Sequence, residues 1–171
     1  MKLIITFSGR SEGNCAAIAG HIGGDVVRFA DLHAHGCADC AYKCFHGECP
    51  HRADGVYDLY GRMVQYDQVI LVVPMYGGNP SSLYFAFCER GQDFFRSEES
   101  WKDVLRRLYI IGVYGSAEES PDFIPTLEKW FTGTEYTGRV LGLERHVYGQ
   151  TMTDSLLDAA EVRDKINEFL Q

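Results

Sequence analysis

Short apolar segments alternate with helical patterns along the whole chain, and this alternation constrains the fold more than any other feature. The predicted strands are Leu3–Phe7, Val26–Phe29, Val69–Val73, Tyr109–Val113 and, with less regular patterning, Val140–Val147. Uninterrupted apolar strands such as Leu3–Phe7 are typical of a parallel sheet covered on both faces. The strands therefore predict a sheet buried between two layers of helices.

Helical patterns lie between these strands and after the last one. The predicted helices are Asn14–Ile22, Ala53–Tyr66, Ser81–Arg90, Trp101–Leu108, Pro121–Phe131 and Asp154–Leu170. Either Asn14 or Ser11 is expected to cap the first helix. Strict alternation implies parallel strands joined by crossover helices. The prediction is an α/β, flavodoxin-like three-layer sandwich whose five-stranded parallel sheet has the order 2-1-3-4-5.

Length and charge limit the possible functions. A chain of 171 residues is expected to form a single domain, here 1–171 with a cysteine-rich insertion at about 31–52. The net charge of −8 makes nucleic acid or an anionic membrane an improbable main partner. No apolar run approaches the ~20 residues of a membrane span, and the apolar start is too short for a signal peptide. These features predict a cytoplasmic protein.

Three polar loops are expected to meet at the ligand-binding edge of such a sheet, where the strands end. They span residues 8–14, 74–82 and 114–120. The first loop leads into a helix whose free N–H groups and dipole favour an anion. Ser8, Ser11 and Asn14 add donors, and Arg10 is suited to two phosphate oxygens. A short loop of this kind fits a monophosphate, although it is equally consistent with a polar turn that only caps the helix.

The three loops together resemble the NADPH-dependent FMN reductase family, near its iron–sulfur flavoprotein branch. The family's first loop runs roughly Gly-Ser-x-Arg-x-x-Gly-Asn-Thr, and its second runs roughly Pro-x-Tyr-x-Gly-x-x-Ser-x-x-Leu-Lys-x-x-x-Asp-Arg. The matching positions are Ser8, Arg10, Gly13, Asn14, Pro74, Tyr76, Ser81 and Arg90. The chain departs from the family at Phe7, where Gly is preferred, at Cys15, where a hydroxyl is preferred, and at Phe85, where Lys is frequent.

The resemblance implies an FMN-binding enzyme that takes electrons from NAD(P)H and passes them to an acceptor that the sequence does not reveal. The implied FMN-binding residues are Ser8, Arg10, Ser11, Gly13, Asn14, Cys15, Pro74, Met75, Tyr76, Gly77, Gly78, Tyr114, Gly115 and Ser116. Tyr76 or Tyr114 is expected to stack on the flavin, and Cys15 to offer its backbone N–H. The family also implies a homodimer or higher homo-oligomer. The flavin carries the chemistry, so no catalytic side chain is predicted.

The segment CADCAYKCFHGEC holds Cys37, Cys40, Cys44 and Cys49. Four thiolates are the usual ligands of a [4Fe–4S] cluster, and the iron–sulfur branch carries a similar run at this place in the chain. One additional residue between Cys40 and Cys44 departs from that branch. Zinc, completed by His46 or His51, and a loop without metal remain alternatives. Two other functions also stay open, namely a flavodoxin-like electron carrier and a thiol or metal redox sensor.

Overall fold

The computed structural model describes residues 1–37, 40–46 and 49–171 of the chain. Its sheet is built from β1 (Lys2–Thr6), β2 (Asp25–Arg28), β3 (Gln68–Tyr76), β4 (Asn79–Pro80), β5 (Leu108–Tyr114) and β6 (Val140–Glu144). The order is β2-β1-β3-β5-β6, and all these neighbours are parallel. The two-residue β4 folds back antiparallel on the end of β3. The five parallel strands thus confirm the predicted order.

Helices cover both faces of the sheet. They are α1 (Asn14–Ile22), α2 (Lys43–His46), α3 (Val56–Met63), α4 (Ser82–Arg90), α5 (Glu98–Leu105), α6 (Phe123–Glu128) and α7 (Ala160–Phe169). Side chains alternate along β1, so that Leu3 and Ile5 join the core beneath α3–α6 and Ile4 joins the core beneath α1 and α7. Apolar residues at every position of the central strands are therefore needed to fill two cores, as the sequence pattern indicated.

Glycine allows one helix to approach the sheet unusually closely. A Cβ added at Gly112 in β5 would lie 2.9 Å from a ring carbon of Phe123 and 3.0 Å from the Cδ1 atoms of Ile124 and Leu127. All three side chains belong to α6, so this helix packs directly on the β5 backbone. The third loop of the expected site, which joins β5 to α6, is held at both ends by this contact.

The last predicted strand and helix are shorter than the sequence suggested. The strand ends at Glu144 rather than Val147, because Arg145–Tyr148 form a 3-10 turn that closes at Gly149 with a φ of 65°. The final helix begins at Ala160 rather than Asp154, and a second 3-10 turn at Leu156–Asp158 precedes it. The chain between these turns is the segment that borders the first loop.

No helix in the described part of the chain is both long and apolar enough to cross a membrane.

Candidate functional site at the carboxyl ends of the strands

The loops that follow β1, β3 and β5 line one groove at the carboxyl edge of the sheet. Its volume is about 290 Å³, close to the lower end of the roughly 300–1,000 Å³ of ordinary ligand sites. The predicted residues that line it are Ser8, Arg10, Gly13, Asn14, Cys15, Pro74, Met75, Tyr76, Gly77, Tyr114 and Gly115. Ser11, Gly78 and Ser116 are not among the lining residues. The groove lies beside β1 and β3, between which the order of the strands reverses. Doubly wound sheets bind ligands at this position.

Hydrogen bonds hold the first two loops together. The buried Ser8 hydroxyl accepts a hydrogen bond from the Arg10 N–H at 3.1 Å and lies 3.5 Å from the Tyr76 hydroxyl. Ser81 donates through Oγ to the Phe7 carbonyl at 2.8 Å and caps α4 by accepting from the Tyr84 N–H at 3.3 Å. The matched serine of the second loop therefore has a positioning function outside the groove.

One end of the groove is suited to an anion. Gly13 precedes α1 with a φ of 111°, a conformation that favours glycine, and among the described residues no side chain caps the helix. The first N–H groups of α1 are thus available to a ligand, and the helix dipole adds partial positive charge. Arg10 is exposed beside them. Glu12 also lines the groove and is the opposing charge at this end.

Neither Asn14 nor Ser11 caps α1, so both capping alternatives were wrong. Gly13 occupies the cap position, and no side chain of the described residues makes a capping hydrogen bond there. The Asn14 Oδ1 accepts a hydrogen bond from the Leu156 N–H at 2.7 Å, and its Nδ2 donates to the Asp154 carbonyl at 3.4 Å. The side chain therefore fastens the segment before α7 to the start of α1. The amide therefore uses its oxygen and its nitrogen in these two hydrogen bonds rather than in contacts with a ligand.

The other end of the groove offers apolar residues and an exposed aromatic ring. Tyr76 is 51% exposed, and Gly77 follows it with a φ of 57°, which lets the backbone turn beside the ring. Tyr114 instead packs against Phe123, with 5.3 Å between the two ring centroids. Burial, together with the nearby Glu144 carboxylate, raises the pKa of Tyr114. Of the two tyrosines predicted to stack on a ligand, Tyr76 is the more accessible.

Two predicted residues of the second and third loops shape the turns. Gly78 has a φ of 83°, and a Cβ placed on it would lie 3.7 Å from the Ser120 Oγ. The Ser116 Oγ accepts a hydrogen bond from the Glu118 N–H at 3.2 Å, which closes the turn after β5. Both residues therefore stabilise the loops that form the groove.

The sequence did not reveal the part of the groove that follows β6. Arg145 reaches over the third loop, with its Nη2 3.2 Å from the position of a Cβ on Gly115 and 3.1 Å from the Met152 Sδ. The His146 N–H donates to the Gly115 carbonyl at 3.1 Å and fixes this arrangement. Within the described residues, neither Arg10 nor Arg145 is within 4 Å of a carboxylate. No sequence signal pointed to this role, because Arg145 lies inside the predicted strand Val140–Val147.

Cys15 stands where the resemblance prefers a hydroxyl, and its thiol is neutral. Its side chain is 6% exposed, and desolvation raises the pKa of the thiol to about 12. At neutral pH the side chain is thus an apolar group against the sheet, and its backbone N–H in the first turn of α1 is the part suited to a ligand.

The four clustered cysteines line a second, much smaller cavity. Cys37, Cys40, Cys44 and Cys49 meet there beside His51 and the end of α4, and the cavity volume is about 20 Å³. All four thiols are free. Among the described residues, no three Cys, His, Asp or Glu side chains already surround a point at which a metal ion would be coordinated.

Buried ion pairs fasten the cysteine segment to the body of the protein. Arg90 pairs with Asp54, and its Nη1 and Nη2 donate to the carbonyls of His35 at 2.7 Å and His51 at 3.0 Å. Arg52 pairs with Asp93 through a 2.8 Å contact. Arg90 is one of the positions that match the resembled family. It therefore fastens the cysteine segment and does not line the groove.

No family model matches the chain, and no curated protein matches it by sequence. Solved structures do resemble it in fold. The Trp repressor binding protein from Bacillus subtilis has a TM-score of 0.67 at 15% identity, over 100% of this chain and 98% of its own. An FMN-dependent NADH-azoreductase from Bacillus anthracis in complex with FMN has a TM-score of 0.64 at 12% identity, over 99% of both chains.

A third similar structure is FerB, a flavoenzyme NAD(P)H:(acceptor) oxidoreductase from Paracoccus denitrificans. Its TM-score is 0.58 at 12% identity, over 99% of this chain and 94% of its own. At such identities the likeness establishes the fold alone. The flavodoxin-like fold predicted from the loops and the strand order is thereby confirmed.

Proposed function

We propose that the protein is an FMN-binding, NAD(P)H-dependent oxidoreductase of the flavin reductase type. The observation that carries the proposal is the groove itself. It joins an uncapped helix N-terminus to an exposed tyrosine and a left-handed glycine turn, at the switch point of a doubly wound sheet. The similar fold of an azoreductase bound to FMN and of the flavoenzyme FerB supports this assignment.

The residues present fit the phosphate of FMN. A phosphate at the start of α1 would meet the N–H groups that follow Gly13, with the guanidinium of Arg10 beside them. Ser8 keeps the loop in shape, whereas Ser11 is exposed and does not line the groove. Asn14 acts one step away, by holding the segment before α7 against this end.

The residues at the other end fit a flat heterocycle. Pro74 and Met75 provide apolar surface, Gly77 and Gly115 allow close approach of the backbone, and Tyr76 provides a ring. Arg145 places a cation over the third loop. A cation there would favour a negatively charged group on a ligand bound beside this loop.

FMN, when bound, would supply the hydride and electron-transfer chemistry. The chain's contribution is to hold it in a groove that stays open on one side, where a nicotinamide and then an acceptor have access. Neutral Cys15 and the apolar Val113 keep the inner wall free of competing charge. The acceptor, a homodimer or higher homo-oligomer, and a cytoplasmic location stay predictions.

A [4Fe–4S] cluster would extend this function by relaying electrons, but the cysteine cavity is too small for it. A volume of about 20 Å³ compares with the roughly 10–15 Å³ that admits a single water molecule. A cluster contributes eight iron and sulfur atoms and needs several times more room. The four cysteines share one cavity, but that cavity does not fit the cluster, and no electron-transfer step is assigned to it.

Titration of the apoprotein with FMN, followed by quenching of flavin fluorescence, tests the proposal. We expect saturable binding at about one FMN per chain and bleaching of the bound flavin by NADH or NADPH without oxygen. Tyr76→Ala is expected to weaken FMN binding about tenfold, since loss of a stacked aromatic costs ~1–1.5 kcal/mol. Phe85→Ala removes an exposed aromatic that does not line the groove, and it is the matched control. Absence of saturable FMN binding would remove the proposal.

An electron carrier that uses the same flavin is the second candidate, because the groove alone does not distinguish the two. It predicts normal FMN binding with negligible oxidation of NADH and NADPH. A steady-state assay with bound FMN and an artificial acceptor therefore separates the carrier from the enzyme.

A further inference from the structure

We propose that the four-cysteine cavity is a structural zinc site, in which Cys37, Cys40, Cys44 and Cys49 bind one Zn²⁺ as thiolates. The proposal does not depend on the flavin, because the cavity and the groove have no lining residue in common. It differs from the iron–sulfur interpretation in assigning one metal ion, without sulfide and without a redox function.

The first argument is that the four cysteines share one cavity. They lie between positions 37 and 49 and all line it, and the described cysteines form no disulfide. Four cysteines that share one cavity are the ligand set of a common class of structural zinc sites.

The second argument is the size of the cavity. Four sulfurs at about 2.3 Å from one Zn²⁺ need central space for a single ion. The cavity volume of about 20 Å³ provides room for one body of roughly the size of a water molecule. Space therefore favours a single ion over a cluster of eight atoms.

The third argument is the set of groups around Cys49. Its Sγ accepts a hydrogen bond from the His51 N–H at 3.5 Å and from the Arg90 Nη2 at 3.7 Å. Donors to sulfur are the outer partners that orient and stabilise metal-bound thiolates. Arg90 is 3% exposed, so it also offsets part of the net negative charge of a tetrathiolate zinc centre. The Cys49 sulfur therefore already has two outer partners of the kind found around metal-bound cysteines.

The fourth argument is the backbone between Cys40 and Cys44. Ala41 and Tyr42 both have a positive φ, 48° and 55°, and this conformation costs roughly 1–2 kcal/mol for each residue with a Cβ. Two consecutive residues of this kind persist only where their surroundings impose them. Tyr42 is 69% exposed, so packing of its side chain does not impose the turn. A metal that fixes the cysteines on either side would do so.

Among the described residues no three Cys, His, Asp or Glu side chains are already placed around one metal position, so the cysteine side chains are expected to rearrange on binding. Each thiol loses its proton to solvent as its sulfur binds, and four protons are released for one Zn²⁺ bound. Small zinc sites commonly complete their geometry in this way, with metal binding and local folding as one event.

The test is the zinc content of the full chain purified without chelator, measured by inductively coupled plasma mass spectrometry. We expect about one zinc per chain, little iron and no acid-labile sulfide. Cys40→Ser and Cys44→Ser are expected to weaken zinc binding at least about 100-fold, because even groups that only orient a ligand contribute roughly 10–100-fold. Cys88→Ser is the matched control, since Cys88 does not line the cavity. Co²⁺ added to zinc-free protein should give sulfur-to-cobalt charge-transfer absorption.

Three outcomes would overturn the proposal. They are wild-type protein that neither contains nor takes up zinc, zinc retained by both cysteine variants, and anaerobic protein that contains iron with acid-labile sulfide. Circular dichroism checks that the variants fold, and Cys37→Ser, at an exposed position, replaces Cys44→Ser if the latter does not. FMN binding measured on the same samples shows whether a failure concerns this site or the proposed flavin function.

Discussion

Replacing Arg10 with glutamine tests whether the start of α1 binds the phosphate of FMN. Arg10 is exposed, lines the groove and lies beside the uncapped helix N-terminus. A hydrogen bond to a charged group contributes about 1.5–3 kcal/mol. Solvent screens an exposed residue, so we take the lower end of this range. Arg10→Gln should then raise the Kd for FMN about tenfold.

Riboflavin, which lacks the phosphate, makes the test specific. Its affinity for Arg10→Gln should stay within about twofold of its affinity for the wild type, since the variant keeps the helix N-terminus and the ring-binding wall. Arg62→Gln is the matched control, because Arg62 is an exposed arginine of α3 that does not line the groove. Fluorescence titrations of both flavins with all three proteins, at low and at physiological salt, provide the comparison.

The reasoning is refuted by either of two results. If Arg10→Gln weakens the binding of riboflavin and of FMN equally, the arginine acts on the groove as a whole and not on the phosphate. If FMN affinity is unchanged at low salt, where screening is weakest, no phosphate lies near Arg10.

Three further predictions concern the fold and its thiols. Gly112→Ala should destabilise the protein by roughly 1–2 kcal/mol, because overpacking against α6 costs more than the restricted unfolded chain contributes. Gly61→Ala, in open space on α3, should instead stabilise it by about 0.5–1 kcal/mol. A urea unfolding free energy of Gly112→Ala above that of wild type contradicts this. Burial acts to raise the pKa of Asp54, but Arg90 and backbone N–H groups hold it below its ordinary value. The stabilisation from ionised Asp54 is therefore complete above about pH 4 and is lost as pH falls through the lower folded pKa. Asp54→Asn should cost about 3 kcal/mol at pH 7, and a difference in unfolding free energy from wild type that does not shrink on acidification disproves this role of Asp54. Cys15 should react slowly with iodoacetamide at pH 8 in folded zinc-free protein, because burial raises the pKa of its thiol to about 12. Peptide mass spectrometry would reject this prediction if Cys15 were labelled as fast as an exposed thiol.

The sequence predicted the parts of the protein that depend on local pattern. Apolar runs such as Val69–Val73 can be satisfied only between two layers of helices, so the parallel sheet and its order followed from them. Because strand ends in such a sheet share an edge, the loops beginning at Ser8, Pro74 and Tyr114 were expected to meet, and they line one groove. The spacing of the cysteines likewise predicted that they belong together.

The tertiary structure decided how individual side chains are used. Asn14 bonds to a segment 140 residues or more away, and Arg145 enters the groove through contacts with the third loop; no local pattern encodes such partners. Tyr76 and Tyr114 look equivalent in sequence, but only packing against Phe123 restricts one of them. The volume that the four thiols enclose depends on how Arg90 and Asp54 fasten their segment. Local periodicity therefore determined the fold and the location of the site, whereas contacts between distant residues determined which groups are free to bind.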